Sequence, residues 1–137
     1  MPAANFLLAR CGQVDPDRLA AYKNAGGLAA MEKARQLGPR RVIEELETSG
    51  LVGRGGAAFP CGRKWAAVAA ADAPSKYVVC NADESEPGTF KDRKLMEEDP
   101  FAILEALVIA GFAVGATRGY IYIRGEYAVA ARRLQSA

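Results

Sequence analysis

The spacing of apolar residues divides this chain into a helical front and a back in which strands and helices alternate. In the front, apolar residues recur at helical intervals between glycine stops, which predicts helices over residues 18–24, 28–37 and 40–49. The last of these has valine, isoleucine and leucine on one face and a glycine directly after it, as is typical of a helix end.

The back half predicts two strands and two long helices. The short apolar run at 77–80 indicates a buried strand over 76–81, and a second strand is predicted over 119–124. Helices are predicted over 100–116 and from 126 to the last residue. Because strands joined by a long helix usually run parallel, the fold class is α/β, with a helical N-terminal part followed by a parallel βαβα part. Two strands alone make a marginal sheet, so we expect this part to be incomplete.

A glycine-rich segment with positive charge follows the helical front. Residues 53–65, GRGGAAFPCGRKW, hold four glycines and a proline, a composition that disfavours regular helix or strand. Arg54, Arg63 and Lys64 lie in it, and it contains no carboxylate. Exposed N–H groups and cations suit a phosphate, more so because a helix predicted over 64–71 begins there. The alternative is a solvated connection between helices.

Neither of two common phosphate-binding motifs accounts for this segment. A P-loop needs Ser or Thr directly after Gly-Lys, whereas Gly62 is followed by Arg63. The dinucleotide fingerprint fits by spacing at Gly53, Gly55 and Ala58, but it needs a preceding strand, and the preceding residues predict a helix. We expect Gly55 either to approach a ligand closely or to adopt positive φ.

An acidic segment, residues 81–89 with the sequence NADESEPGT, follows the first predicted strand. In α/β sheets, ligands bind beyond the carboxyl ends of strands, which is where Asn81, Asp83, Glu84 and Glu86 would lie. Their amide and carboxylate groups suit ribose or ribityl hydroxyls and a nicotinamide amide, and do not suit phosphate. The alternative is an acidic turn that caps a helix beginning near Lys91.

Composition excludes several functional classes. A net charge of +2 is too small to argue for nucleic acid, and no apolar run is long enough to span a bilayer. No signal peptide is evident at Met1. The chain has no histidine and three scattered cysteines, so we do not expect this chain alone to bind zinc or an iron–sulfur cluster. We expect the cysteines to be reduced thiols in a cytoplasmic protein.

Together these motifs resemble the flavin-binding, NADH-oxidising subunit of respiratory complex I. The same family includes the diaphorase subunits of NAD-linked hydrogenases and formate dehydrogenases, and the sequence leaves the parent complex open. The matching motifs are SGL at 49–51, GRGGA at 53–57, FP at 59–60, KW at 64–65, CNADE at 80–84, EPGT at 86–89, KDR at 91–93 and RGEY at 124–127.

The resemblance implies roles for individual residues. It assigns the FMN phosphate and ribityl region to Gly53, Arg54, Gly55, Gly56 and Lys64. It assigns the ribityl chain and the isoalloxazine edge to Asn81, Asp83 and Glu84. It assigns NADH to Phe59, by stacking, and to Glu86, by hydrogen bonding. No catalytic side chain is implied, because the flavin accepts the hydride.

Two departures from the family pattern stand out. Ala58 occupies a position where the family usually has glycine, and Ala67 occupies one where an aromatic residue often packs near the nicotinamide. The first is expected to crowd the flavin slightly and the second to weaken stacking. Asp92 and Arg93 are expected to form a structural pair on the helix after the acidic segment.

The resemblance also implies a domain plan and partners. Residues 1–137 would be the N-terminal part of a single FMN/NADH-binding domain, with 1–50 as a helical lead-in and 51–137 as the flavin-binding part. The complete family adds a ubiquitin-like domain and a helical domain with a 4Fe–4S cluster, for which this chain has no ligands. Expected partners are the other subunits of an NADH-oxidising complex, including a small thioredoxin-like 2Fe–2S subunit, at the cytoplasmic side of a membrane without insertion into it. The alternative is a truncated or split non-catalytic paralogue, or a gene fragment.

Overall fold

The computed structural model describes residues 6–137. The first five residues, on which the signal-peptide expectation and the start of the predicted lead-in fall, lie outside the described part. Over residues 6–137 the elements are α1 (Leu19–Asn24), α2 (Ala29–Leu37), α3 (Pro39–Ser49), α4 (Cys61–Ala70), β1 (Tyr77–Ala82), α5 (Lys91–Glu98), α6 (Pro100–Val114), β2 (Arg118–Ile123) and α7 (Ala128–Ser136). The predicted α/β class is confirmed. The back half has one helix more than the two predicted for it, because α5 lies between β1 and α6.

The chain forms two compact units, each with its own core. The first unit comprises, within the described part of the chain, residues 6–29, Cys80–Ala106 and Ile121–Ala137. In it α5 packs against α7. Its buried core consists of Ala82, Met96, Ala130 and Leu134, with Cys80, Ile103, Ile121, Ile123 and Tyr127 packed around them.

The second unit comprises Ala30–Val79 and Leu107–Tyr120. Here α3 packs against α4. The apolar face predicted for α3 is buried as expected, with Val42 and Ile43 in the core beside Ala34 and Ala113. Trp65, Ala66 and Ala69 of α4 cover this core. The α3–α4 pair therefore holds the segment that joins the two helices, residues 50–60, on a packed base.

The two strands pair in parallel, as predicted. The prediction that β1 is buried is wrong for one of its faces, because burial alternates along it. Val79 is 61% exposed and the ring of Tyr77 lies in the open beside that of Tyr120, with centroids 6.0 Å apart. Within the described part of the chain, the apolar run therefore forms a strand, β1, of which one face is covered by other residues and the other face is exposed.

Helix α6 is the most apolar element, but it has 15 residues. Within residues 6–137, no helix has both the length and the apolar character needed to cross a membrane.

Candidate functional site

The glycine-rich segment forms a closed loop that leads directly into α4. Val52 and Pro60 form an isolated antiparallel bridge. The Gly53 N–H donates to the Phe59 carbonyl at 2.9 Å, and the Cys61 N–H donates to the Leu51 carbonyl at 2.8 Å. We call residues 53–59 the glycine loop. The two ends of the glycine loop are hydrogen-bonded to each other, and this pairing fixes the position from which the rest of the loop extends.

Helix α4 begins at Cys61, three residues before its predicted start. The prediction that the glycine-rich segment avoids regular structure before the predicted helix start at Lys64 is therefore wrong for residues 61–63. Gly62 explains the difference, because it lies where α4 meets α3. A Cβ on Gly62 would press against the Glu47 Cγ and would lie 2.6 Å from the Glu47 backbone nitrogen. Glycine is thus a helical residue here, required by close packing rather than by a turn.

The loop and the first turn of α4 are rich in positive charge. Arg54, Arg63 and Lys64 are all exposed. The guanidinium of Arg63 and the ammonium of Lys64 each lie 5.9 Å from the centre of the Phe59 ring, so both cations are held near the end of the loop. The positive end of the α4 dipole lies at the same place. This arrangement of cations, loop and helix start suits a phosphate group.

Positive φ occurs in the glycine loop, but not at the glycine predicted for it. The prediction for Gly55 is wrong in this respect: positive φ is found at Gly56, with φ of 99°, and at Ala58, with φ of 49°. Nothing lies within 4 Å of a Cβ placed on Gly55. The left-handed backbone conformation therefore occurs one residue later than expected, and it occurs again at an alanine.

Replacing Ala58 by glycine is expected to stabilise the protein. A left-handed conformation costs a non-glycine residue about 1–2 kcal/mol, while the added freedom of glycine in the unfolded chain returns about 0.4–1 kcal/mol of that. The net gain should be up to about 1.5 kcal/mol in the free energy of unfolding by urea. Ala57→Gly is the matched control, since Ala57 is exposed and has no positive φ, and it should destabilise slightly. Equal effects of the two changes would show that Ala58 is unstrained.

The acidic segment alternates between exposed and buried residues. Asn81, Asp83 and Glu86 are exposed, while Ala82 and Glu84 are buried. The Asp83 N–H donates to the Asn81 Oδ1 at 3.2 Å, and the Ser85 hydroxyl donates to the Asp83 Oδ2 at 3.3 Å. The exposed residues thus form a short, locally bonded row of amide and carboxylate groups. This row is the part of the segment open to a ligand.

Glu84 differs from its neighbours, being only 2% exposed. One carboxylate oxygen accepts the N–H of Asp92 at 2.6 Å, and the other accepts the N–H of Arg93 at 3.1 Å and the hydroxyl of Tyr127 at 3.2 Å. Burial alone would raise the pKa of this carboxyl, but these hydrogen bonds outweigh it and hold the pKa below its ordinary value. The segment therefore does cap α5, which was the alternative interpretation; direct contact between Glu84 and FMN stays a prediction.

Two residues near Glu84 were not predicted for any site. Arg124 and Tyr127 both bond to Glu84, and the only sequence signal for them was the RGEY motif, to which no role was assigned. The expected pairing of Asp92 with Arg93 is wrong. Asp92 pairs instead with Lys91 at 2.7 Å, and Arg93 lies over the ring of Tyr127.

The predicted site residues fall in both compact units. Those of the glycine-rich segment belong to the second unit, and those of the acidic segment belong to the first. Among residues 6–137, no group of three or more His, Cys, Asp or Glu side chains is arranged to hold a metal ion.

Comparison with known proteins gives a consistent family. Residues 46–137 match the model of the Nuo51 FMN-binding domain. The chain is 48% identical over 124 residues to the F 2 subunit of NADH-quinone oxidoreductase from Rhizobium meliloti (strain 1021), covering 90% of this chain and 30% of the relative. It is 45% identical over 127 residues to the HndC subunit of NADP-reducing hydrogenase from Solidesulfovibrio fructosivorans, covering 93% of this chain and 26% of the relative.

A solved structure supports the same relationship. The NAD⁺-reducing [NiFe]-hydrogenase in its air-oxidized state matches with a TM-score of 0.69 and 31% identity, covering 95% of this chain and 21% of that one. The chain thus spans under a third of the length of the two curated relatives. Because the family model covers both the glycine-rich and the acidic segments, this chain belongs to the Nuo51 FMN-binding domain family.

Proposed function

We propose that this chain is the N-terminal FMN-binding part of an NADH-dehydrogenase subunit. The bound flavin would accept a hydride from NADH for onward one-electron transfer. The observation that carries the proposal is the closed, cationic glycine loop at the start of α4, within a segment that matches an FMN-binding family. The names of its relatives, an NADH-quinone oxidoreductase among them, agree with this reaction.

The glycine loop and α4 would bind the FMN phosphate and the adjoining ribityl chain. Arg54 and Lys64 supply exposed cations, and Gly53, Gly55 and Gly56 themselves have no side chain that could block a ligand. No carboxylate lies in residues 53–65 to compete with an anion. The chemistry of this donor set fits a phosphate and fits a neutral ligand poorly.

The acidic segment would bind the other polar parts of the flavin. The exposed Asn81 and Asp83 offer both donors and acceptors, which suits ribityl hydroxyls and the isoalloxazine edge. Glu84 was expected to share this role, and its carboxylate is already bonded within the protein. We therefore assign the direct contacts to Asn81 and Asp83.

For NADH, the proposal rests on Phe59 and Glu86. Phe59 is 46% exposed at the end of the glycine loop, so part of its ring is open to stack on a flat ring. Glu86 is exposed and can accept hydrogen bonds from hydroxyl or amide groups. Neither side chain would take part in bond breaking, since both would only place the nicotinamide against the flavin.

As a subunit, the chain would work in a complex. Its relatives are named as subunits of a quinone oxidoreductase and of a hydrogenase. We propose that it acts with the other subunits of an NADH-oxidising complex, among them a small 2Fe–2S subunit, at the cytoplasmic side of a membrane. Residues 1–137 would then belong to one FMN/NADH-binding domain that continues in the longer relatives.

Replacing Lys64 by alanine is expected to weaken FMN binding. Loss of one charge-assisted hydrogen bond to phosphate should cost about 1.5–3 kcal/mol, or roughly a 10- to 150-fold rise in the dissociation constant. The measurement is a fluorescence titration of FMN with the wild-type chain and the variant. Lys33→Ala, which removes an exposed lysine of α2, is the matched control for net charge and should bind normally. Equal affinities for wild type and Lys64→Ala would remove Lys64 from the site.

A further inference from the structure

The buried Glu84 ties the acidic segment to two other parts of the first unit. Its carboxylate accepts two of the backbone N–H groups in the first turn of α5, those of Asp92 and Arg93. It also accepts the hydroxyl of Tyr127, the residue directly before α7. A charged acceptor for free N–H groups at a helix start fixes the position of the segment that carries it.

The backbone of Glu84 is held as well. Its carbonyl oxygen accepts the Arg124 Nη1 at 2.8 Å and lies 3.4 Å from the Tyr127 hydroxyl. The ring of Tyr127 packs against the first unit's core, and the guanidinium groups of Arg93 and Arg124 lie 5.8 and 5.6 Å from its centre. The KDR and RGEY motifs, which have no role in the proposed ligand contacts, thus both converge on one residue of the acidic segment.

This bonding leaves little room for Glu84 as a ligand contact. Both carboxylate oxygens are engaged, and the alternation of burial puts Glu84 and Ala82 on the covered side while Asn81 and Asp83 are exposed. A carboxylate that turned outward to meet a ligand would leave two helix N–H groups and a tyrosine hydroxyl without their acceptor. That loss is expensive for partly buried groups.

We propose that Glu84, Arg124 and Tyr127 are positioning residues, which hold the acidic segment so that Asn81 and Asp83 face the flavin. We call these three the Glu84 cluster. The inference rests on the proposed function for its ligand, FMN, but the ordering of residues 83–89 by the cluster is a property of the protein itself. An experiment can therefore contradict the inference about residues 83–89 without contradicting FMN binding, and the reverse.

The first arm of the test measures order without ligand. Hydrogen exchange at the amides of residues 83–93 is compared for wild type and Tyr127→Phe, which removes only the hydroxyl that reaches Glu84. Exchange in the variant should be roughly two- to tenfold faster in this region, as expected for the loss of one hydrogen bond. Tyr122→Phe is the matched control, since Tyr122 is 66% exposed on β2, and it should leave exchange unchanged. Unchanged exchange in Tyr127→Phe would overturn the inference.

The second arm measures FMN affinity by titration, well below the melting temperature of each variant. Tyr127→Phe should raise the FMN dissociation constant by roughly two- to tenfold, while Tyr122→Phe should not. Glu84→Ala should weaken binding more than Glu84→Gln, because glutamine keeps one oxygen that can accept from the start of α5.

The outcomes separate the possibilities. If the variants lower the melting temperature but bind FMN as tightly as wild type, the cluster is only structural and the inference is overturned. If Glu84→Gln and Glu84→Ala weaken binding equally while exchange at residues 83–93 is unchanged, Glu84 is a direct ligand contact, which also overturns it. A wild-type chain that binds no FMN overturns the proposed function, and the exchange arm then still decides whether the cluster orders the segment.

Discussion

Gly62→Ala should destabilise the protein by about 2 kcal/mol. The added Cβ would lie 2.6 Å from the backbone nitrogen and 2.8 Å from the Cα of Glu47, so α4 and α3 must separate. Overpacking of this kind costs about 3 kcal/mol, and the better helix propensity of alanine offsets about 1 kcal/mol of that loss in stability. Because the glycine loop is anchored on α4, the same change should also weaken FMN binding. Urea unfolding and FMN titration of one preparation measure both effects.

Gly111→Ala is the matched control for this experiment. Gly111 also lies inside a helix, α6, but a Cβ there would come no closer than 3.8 Å to another heavy atom, the Ala116 carbonyl oxygen. With ordinary contact and a gain in helix propensity, it should be neutral or stabilising by up to about 1 kcal/mol. If Gly62→Ala behaves like Gly111→Ala, α3 and α4 are not in close contact and the account of this glycine is wrong.

Glu105→Leu should cost about 2–4 kcal/mol in the free energy of unfolding. Glu105 is buried in the first unit and accepts hydrogen bonds from the Tyr22 hydroxyl and from the Leu28 N–H, the latter at 2.9 Å. Burial, followed by the hydrogen bond to Glu105 and its charge, raises the pKa of Tyr22 well above its ordinary value. Leucine would leave the phenol and the N–H without this acceptor, at about 1–3 kcal/mol each, partly offset by its apolar burial.

The control for this change is Glu105→Gln, which keeps an acceptor oxygen of similar size. It should lose much less stability than the leucine variant in parallel urea or thermal unfolding. A leucine variant as stable as wild type would mean that the carboxylate does not hold Tyr22 and the Leu28 backbone in place.

Much of the fold follows from the sequence because its signals are local. Glycine stops and apolar periodicity predict α2 and α3 to within one residue, and Gly50 ends α3 with φ of 65°, as a glycine after a helix should. The sequence predicts the start of α4 three residues too late because a glycine such as Gly62 usually argues against helix. Its actual reason, the approach of Glu47, depends on how two helices pack, which no local pattern contains.

Some features of the candidate site also follow from the sequence, while others depend on the folded structure. The cationic character of residues 53–65 and the polar character of residues 81–86 follow from residue types alone. The burial of Glu84 does not follow from residue types, because the sequence cannot distinguish a buried carboxylate from its exposed neighbours Asp83 and Glu86. Its partners Arg124 and Tyr127 lie 40 and 43 positions along the chain, so only the folded arrangement of the first unit reveals them.

Calorimetric titration with FMN and with riboflavin tests whether this chain binds FMN through its phosphate. Riboflavin has the same ring and ribityl chain but lacks the phosphate that the glycine loop and α4 would hold. FMN should bind at least about tenfold more tightly than riboflavin, since one charge-assisted hydrogen bond is worth about 1.5–3 kcal/mol. Equal affinity for the two, or no binding of either, would contradict it.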